Sequence, residues 1–369
     1  MIYHEVFCRY VRAATIRIRR MPISNRQTDG VFMKQKADRS RVTLKDIAQK
    51  TGYAINTVSK AIRDAPDLAE ETKRAIRKIA DEMGYITNES ANSLRCGLTM
   101  TLALIVADIT NPLFAIIEKE IEEKARQNGY MVLVINTDEN SENELNAVRA
   151  AIGKNVDGVM LFQTQINNLS TNLLEKAGIP YVLLYRIQDN QMCDAILIDE
   201  EKGGYLAGRR LIEAGRKHIV MITVPSYVSS SALRKNGFVR AMNEANMDDN
   251  YRVIYLDSAM ESCGEAVRKL FSGNDVPDGI FCFSDIMAFD AACTLMNMGV
   301  DIPKDVSLVG FDNIQSKLPV PFPLTTVAIH KSELAKDAVT LLLRRIANDY
   351  ENYPARKVIP VQLIERGSV

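Results

Sequence analysis

The sequence predicts a small all-α helix-turn-helix DNA-binding domain followed by an α/β body of two lobes, each a doubly wound parallel sheet. Three observations predict it. Residues 43–64, TLKDIAQKTGYAINTVSKAIRD, hold two short helical patterns divided by Gly52. Beyond residue 100, short apolar β-branched runs alternate with amphipathic helical stretches, the pattern of parallel strands covered on both faces. Charge is also divided: residues 1–98 carry 19 Lys and Arg against 11 Asp and Glu, a net +8 that the other 271 residues cancel. A basic front on a neutral chain suits contact with a polyanion.

The elements follow in order. Residues 1–40 are Arg-rich and lack periodicity, and Met33 could serve as a start, so a disordered or mis-started extension is expected there. Residues 41–87 form the helical domain. Thr43 caps its first helix with Asp46 in a variant capping box, Ile47 and Ala48 supply the apolar side, and Gly52 ends it. The second helix, 56–63, turns Val58, Ala61 and Ile62 inward and Asn56, Lys60 and Arg63 outward. A third, 69–83, buries Ile76, Ile79, Ala80 and Met83 and stops at Gly84. Residues 88–98 are a connector.

After it the apolar runs TLALIVAD, YMVLVINTD, VDGVMLF and PYVLLY alternate with helices at 112–128, 140–154 and 169–177. HIVMITVP, RVIYLD, GIFCFSD and VSLVGFD then alternate with helices at 232–245, up to Phe271 and up to Met298. A last helix, 332–348, and KVIPVQLI complete the chain. The predicted lobes are 99–198 with 329–356, and 199–328 with 357–369.

Two short helices joined by a tight glycine turn place the second in the DNA major groove. Asn pairs with adenine and Lys with guanine, so Asn56 and Lys60 are the base-reading candidates. Thr43, Thr57, Ser59 and Arg63 suit phosphates.

From Val42 the chain resembles the LacI/GalR family of bacterial repressors, in TLKDIA, NTVSKAI and EETKRAI through MGY, and downstream in VADITNPLF, LIDEEKGGYLAG, IPKDVSLVGFDN and LIERGSV. The resemblance runs to Val369 and implies a periplasmic-binding-protein-like effector domain of type I. It implies base reading by Ile55, Asn56 and Lys60. The connector N-x-x-A-x-S-L, with Asn88, Ala91, Ser93 and Leu94, is similar to the family's hinge helix, and the resemblance makes Leu94 a minor-groove wedge and Asn88 a DNA contact. This chain departs from the pattern at Ala54, where the family has a capping serine that Asn56 could replace, and in the hinge at Glu89 and Asn92.

Open α/β sheets bind ligands beyond the carboxyl ends of their strands. Polar residues at such ends are Asp108, Asn111, Asp199, Ser284 with Asp285, and Asp312 with Asn313. The resemblance selects Arg234, Asp312, Asp199 and Ser284 as the effector site, with Phe114, Tyr227 and Phe283 as apolar walls. An arginine facing two aspartates suits a sugar first and a purine second. The implied protein is a cytoplasmic repressor, a homodimer or tetramer on a near-palindromic operator, that needs no cofactor or metal.

Two other readings compete. A transporter's solute-binding protein shares the two lobes but has no use for a basic helical front. A sugar-active enzyme could pair the aspartates, yet the chain lacks G-x-G-x-x-G, G-x-x-x-x-G-K-[ST] and G-x-S-x-G. Its only histidines, His4, His218 and His330, have no metal-ligand spacing. Six scattered cysteines without a C-x-x-C pair suit a reducing compartment, and no apolar run reaches the roughly 18 residues that span a bilayer.

Overall fold

The computed structural model of the chain describes residues 41–86, 97–188, 191–256, 262–273 and 275–369. The predicted extension 1–40 and most of the connector, with Asn88, Glu89, Asn92 and Leu94, lie outside the described residues. The chain divides into two compact units, Met1–Thr87 and Asn88–Val369.

The described part of the first unit is three helices: α1 (Leu44–Thr51), α2 (Ile55–Ile62) and α3 (Glu70–Glu82). Thr43 closes a full capping box with Asp46, and Gly52 ends α1 at φ +74°, the left-handed conformation glycine adopts without a Cβ clash. Ile47, Ala48, Val58, Ala61, Ile76 and Ala80 form the core, while Ile62 and Met83 are only partly buried against it. So small a core is marginal. Polar clamps reinforce it: the buried Lys73 pairs with Asp64 at 3.1 Å and Glu70 at 2.7 Å, and Arg77 pairs with Asp64 at 2.8 Å.

The described residues of the second unit form two six-stranded sheets. In chain order its elements are β1 (Thr101–Val106), α4 (Pro112–Gln127), β2 (Met131–Asn136), α5 (Ser141–Gly153), β3 (Gly158–Leu161), α6 (Leu169–Ala177), β4 (Tyr181–Tyr185) and β5 (Asp194–Ile198). Then come α7 (Glu200–Glu213), β6 (Ile219–Thr223), α8 (Ser229–Glu244), β7 (Tyr251–Tyr255), α9 (Cys263–Phe271), β8 (Gly279–Cys282), α10 (Asp285–Asn297) and β9 (Ser307–Asp312). The chain closes with β10 (Thr325–Ile329), α11 (Lys331–Ile346), β11 (Arg356–Ile359) and β12 (Val361–Ile364).

The first sheet runs β11-β5-β4-β3-β1-β2 and the second β12-β10-β9-β8-β6-β7. All the strand pairs are parallel except β10 with β12. β3, β4, β6, β8 and β9 are buried along their whole length, as their largely apolar runs allow. The chain passes between lobes after β5, after β10 and at Pro360. Because Arg356–Ile359 pairs with β5, the last passage falls at Pro360, later than the expected break after residue 356.

Helices α7 and α8 pack backbone to backbone. A Cβ at Gly204 would stand 1.9 Å from the Arg234 carbonyl oxygen, and one at Gly237 would stand 1.8 Å from that of Glu201. Only glycine permits such an approach. It brings the first turn of α7 against the face of α8 that carries Arg234.

Candidate nucleic-acid interface and effector cavity

On α2 the buried Val58 and Ala61 face the core, so the residues on the opposite side of the helix face out. Asn56, Lys60 and Arg63 share one outward row, Asn56 and Arg63 exposed and Lys60 half-buried, with the exposed Ile55 beside them. Thr57 and Ser59 are half-buried at its edge. The helix begins after Ala54 with no side-chain cap, so Asn56 does not take over the capping role. Thr43, by contrast, is committed to its capping box. Lys60 Nζ pairs with Asp67 Oδ2 at 2.5 Å, and Arg63 Nε donates to the Ser59 carbonyl at 3.0 Å. Asp67 was not legible as a neighbour of Lys60, since the loop after α2 brings it back.

In the second unit a cavity of about 410 Å³ opens between the lobes at the carboxyl ends of both sheets. One lobe contributes Asp108, Asn111, Phe114, Glu139, Phe162, Tyr185 and Arg186; the other contributes Tyr227, Ser230, Arg234, Phe283, Ser284, Asp290 and Asp312. Phe114 meets Phe162 edge-on with ring centroids 5.0 Å apart.

Arg234 is the centre of the second lobe's wall. Its Nε donates to Glu200 Oε2 at 2.6 Å, an Nη donates to the Phe283 carbonyl, and its guanidinium lies over the rings of Phe311 at 3.5 Å and Phe283 at 4.3 Å. Asp312 Oδ1 stands 3.9 Å from the other Nη, too far for a hydrogen bond. Burial disfavours the charge on Arg234, yet Glu200 and Asp312 together raise its pKa above the usual value. Burial raises Glu200 against the pull of Arg234, and it pushes Asp312 up to about 8. Burial also drives the Tyr185 hydroxyl well above its ordinary range.

Among the described residues three buried polar atoms here have no hydrogen-bond partner: Tyr185 OH, Glu200 Oε1 and Asp312 Oδ1. Tyr185 at φ +66° and Asp312 at φ +106° also sit in backbone conformations that L-residues rarely adopt. Orphaned polar groups and backbone strain gather at binding sites. At the rim Arg186 makes two hydrogen bonds to Glu139, at 2.8 and 2.9 Å.

Of the expected effector residues, Phe114, Arg234, Ser284 and Asp312 line the cavity, with Asp108, Asn111, Tyr227 and Phe283. Ser284 also caps α10. Asp199 does not line it: its carboxylate caps α7 by accepting from Lys202 N at 3.1 Å. The acid that meets Arg234 is Glu200, one residue on and about 100° round the helix. Asp285 is a buried strut, accepting from Ile314 N and Thr326 Oγ1, and Asn313 accepts from Arg366. Among the described residues no cluster of His, Cys, Asp and Glu could hold a metal ion, and no helix is long and apolar enough to cross a membrane.

Comparison with known proteins adds to this geometry. Residues 43–88 match the family described as bacterial regulatory proteins, lacI family, and residues 209–369 match the periplasmic binding protein-like domain. The chain is 33% identical over 334 residues to the HTH-type transcriptional repressor PurR of Aliivibrio fischeri strain MJ11, covering 89% of this chain and 98% of that one. It is 34% identical to the PurR repressor of Actinobacillus pleuropneumoniae serotype 3, over the same shares of each chain. A transcriptional regulator CelR–cellobiose complex matches at TM-score 0.64 and 27% identity, over 89% of this chain and 100% of that one. A LacI family transcriptional regulator from Enterococcus faecium with bound ribose matches at 0.65 and 27%, over 73% and 98%. The lac repressor dimer bound to operator and the anti-inducer ONPF shares the fold at TM-score 0.77 and 22% identity, over 89% and 99%.

Proposed function

This chain belongs to the lacI family of bacterial regulatory proteins, and from that premise we propose that it is a cytoplasmic homodimeric repressor of a near-palindromic operator, controlled by a saccharide bound between its lobes. As a family member it is a DNA-binding transcriptional regulator and not an enzyme. The observation that carries the finer reading is α2: a two-turn helix whose inner side fills the core while Ile55 and Asn56 stand exposed and Lys60 lies half-buried on the same outward side. Asn56 and Lys60 supply the groups that read adenine and guanine, and Ile55 supplies an apolar contact. Thr57, Ser59 and Arg63 flank them as phosphate contacts, Thr43 serves by capping α1 rather than by reaching phosphate with its engaged hydroxyl, and Asn88 and Leu94 keep the hinge roles their sequence suggests.

Arg234, Asp312, Ser284 and Phe114 form the effector site, joined by Tyr185. Related regulators of similar fold carry cellobiose and ribose, which supports a saccharide. A purine is the second reading, favoured by the aromatic rings of Phe114, Phe162 and Phe283 on the cavity wall. Effector and operator prefer different lobe arrangements, so each alters the affinity for the other by the same factor.

The test is an unbiased selection of duplex DNA by the full chain, followed by titration of the enriched site with candidate saccharides. A two-fold-symmetric enriched site whose affinity shifts with a saccharide is expected. Recovery of no preferred sequence would remove the operator, and a preferred site indifferent to every saccharide and purine would remove the effector.

A further inference from the structure

We propose that the interlobe cavity selects an uncharged, unphosphorylated saccharide, and that Tyr185 is one of the residues that hold it. This deepens the effector reading above and rests on it.

The argument is one of charge and of unpaired polar atoms. Phosphate esters and carboxylates are held by arginines with free donors. Both arginines of this cavity have their charge already matched by an acid: Arg186 by the two oxygens of Glu139 at 2.8 and 2.9 Å, and Arg234 by Glu200 at 2.6 Å, which leaves the second Nη of Arg234 without a hydrogen bond among the described residues. With those pairs matched, the lining keeps Asp108 and Asp290, with Asp312 held protonated by burial up to about pH 8, and no further cation among the described residues. A phosphate brought here meets acids without a counter-charge. Drawing Arg234 away would strand the carboxylate of Glu200, whose side chain is 1% exposed, and an unpaired buried charge is strongly destabilising.

The unpaired atoms point to the opposite ligand chemistry. Tyr185 OH can donate and accept, whereas Asp312 Oδ1 in its ionised form only accepts. Both are buried on the cavity wall without a partner. A sugar hydroxyl donates and accepts at once, so adjacent hydroxyls on one neutral ring satisfy both. Tyr185 ends β4 in one lobe and Asp312 ends β9 in the other, so a ligand bonded to both ties the lobes together. The edge-on pair Phe114 and Phe162 gives the carbon face of a ring an apolar wall.

The test uses the full chain and matched probes: D-ribose with ribose 5-phosphate, D-glucose with glucose 6-phosphate, cellobiose, inorganic phosphate and hypoxanthine. Affinity is read by calorimetry and melting temperature. At least one neutral sugar is expected to bind, at least about tenfold tighter than its phosphate ester, because rejection by unpaired like charge exceeds what a lost contact removes. Tyr185→Phe is expected to weaken that sugar about tenfold while the unliganded melting temperature stays within a few degrees, since it removes one orphaned hydroxyl and no packing. An ester binding tighter than its parent sugar overturns the charge inference and leaves the effector site standing. A sugar bound equally by Tyr185→Phe removes Tyr185 from the site. Silence from every saccharide, with or without a response to hypoxanthine, overturns the saccharide reading and this proposal with it.

Discussion

Gln165 and Ser229 exchange two hydrogen bonds between the lobes: the side-chain amide of Gln165 donates to Ser229 Oγ at 3.0 Å, and Ser229 N donates to Gln165 Oε1 at 2.9 Å. Gln165 follows β3 in one lobe, is held at φ +64° and is braced by Gln188, which donates to its carbonyl at 2.8 Å. Ser229 opens α8 in the other lobe, five residues before Arg234. Neither residue lines the cavity, so the pair fixes the lobe arrangement without touching the effector.

Gln165→Ala therefore acts on the lobe equilibrium alone. Two hydrogen bonds contribute together roughly 1–3 kcal/mol, and their loss favours the open arrangement. Effector affinity is expected to fall several-fold or more, and operator affinity to change as linkage requires. Small-angle scattering shows the larger radius of gyration. Unaltered scattering and unaltered effector affinity would show the contact to be idle.

Lys60→Ala should weaken binding to the selected operator by about 1–3 kcal/mol more than to random duplex. Equal loss on both substrates makes Lys60 a phosphate contact and removes it from base reading.

Asp67→Asn frees the same lysine. The Lys60–Asp67 pair is 39% and 56% exposed at its two side chains, and exposed pairs contribute only about 0–1 kcal/mol. A rise in operator affinity of up to about fivefold is expected, with a steeper salt dependence as one acid leaves the DNA-facing surface. Affinity that drops instead would mean Asp67 orients Lys60 for its base.

The pH dependence is set by Asp312, which faces Arg234, Glu200, Asp285, Lys331 and Tyr185. Its folded value of about 8 lies above the 3.8 of a free side chain, so between those values the folded chain holds a proton the unfolded chain has lost. Its contribution to stability is full below pH 4 and is lost as pH rises through about 8. Effector binding has the opposite sign, because a donor hydroxyl favours the carboxylate. Affinity is expected to climb as pH rises through 8 with release of a proton, and Asp312→Asn to abolish that slope. Calorimetry in buffers of different ionisation enthalpy measures it, and proton uptake on binding would refute it.

Gly237→Ala places a methyl 1.8 Å from the Glu201 carbonyl oxygen and must part α7 from α8. Overpacking of this kind destabilises by about 3 kcal/mol. Effector binding should suffer beyond the loss of stability, because Glu200 and Arg234 sit on the parted helices. A variant that melts early yet binds sugar normally would show the ion pair to be dispensable.

What the sequence made legible was what is local. Thr43, Asp46 and Gly52 lie within one helix and its caps, and apolar runs such as TLALIVAD carry their strand in their own composition. Arg234, Asp312, Ser284 and Phe114 were reached through family resemblance, and the structure brings them to one cavity. β5 and β10 were not separated from their surroundings, because Asp194–Ile198 and Thr325–Ile329 begin in polar residues and run into helices without a turn signal. KVIPVQLI reads as one stretch, yet Pro360, which cannot donate to a ladder, divides it between two sheets. Glu200 escaped because its partner is 34 residues away and one helical step exchanged its role with that of Asp199. Gln165 and Tyr185 gave no signal, since what distinguishes them is the company they keep across the cleft.

Pro360 has one more consequence. A single residue joins a strand of one sheet to a strand of the other, and its ring holds φ near −65°. So short and stiff a bridge cannot stretch, and the lobes are therefore unable to slide past each other along that edge. Whatever opens the cleft must do so by turning, and what the effector sends to the rest of the chain is an angle.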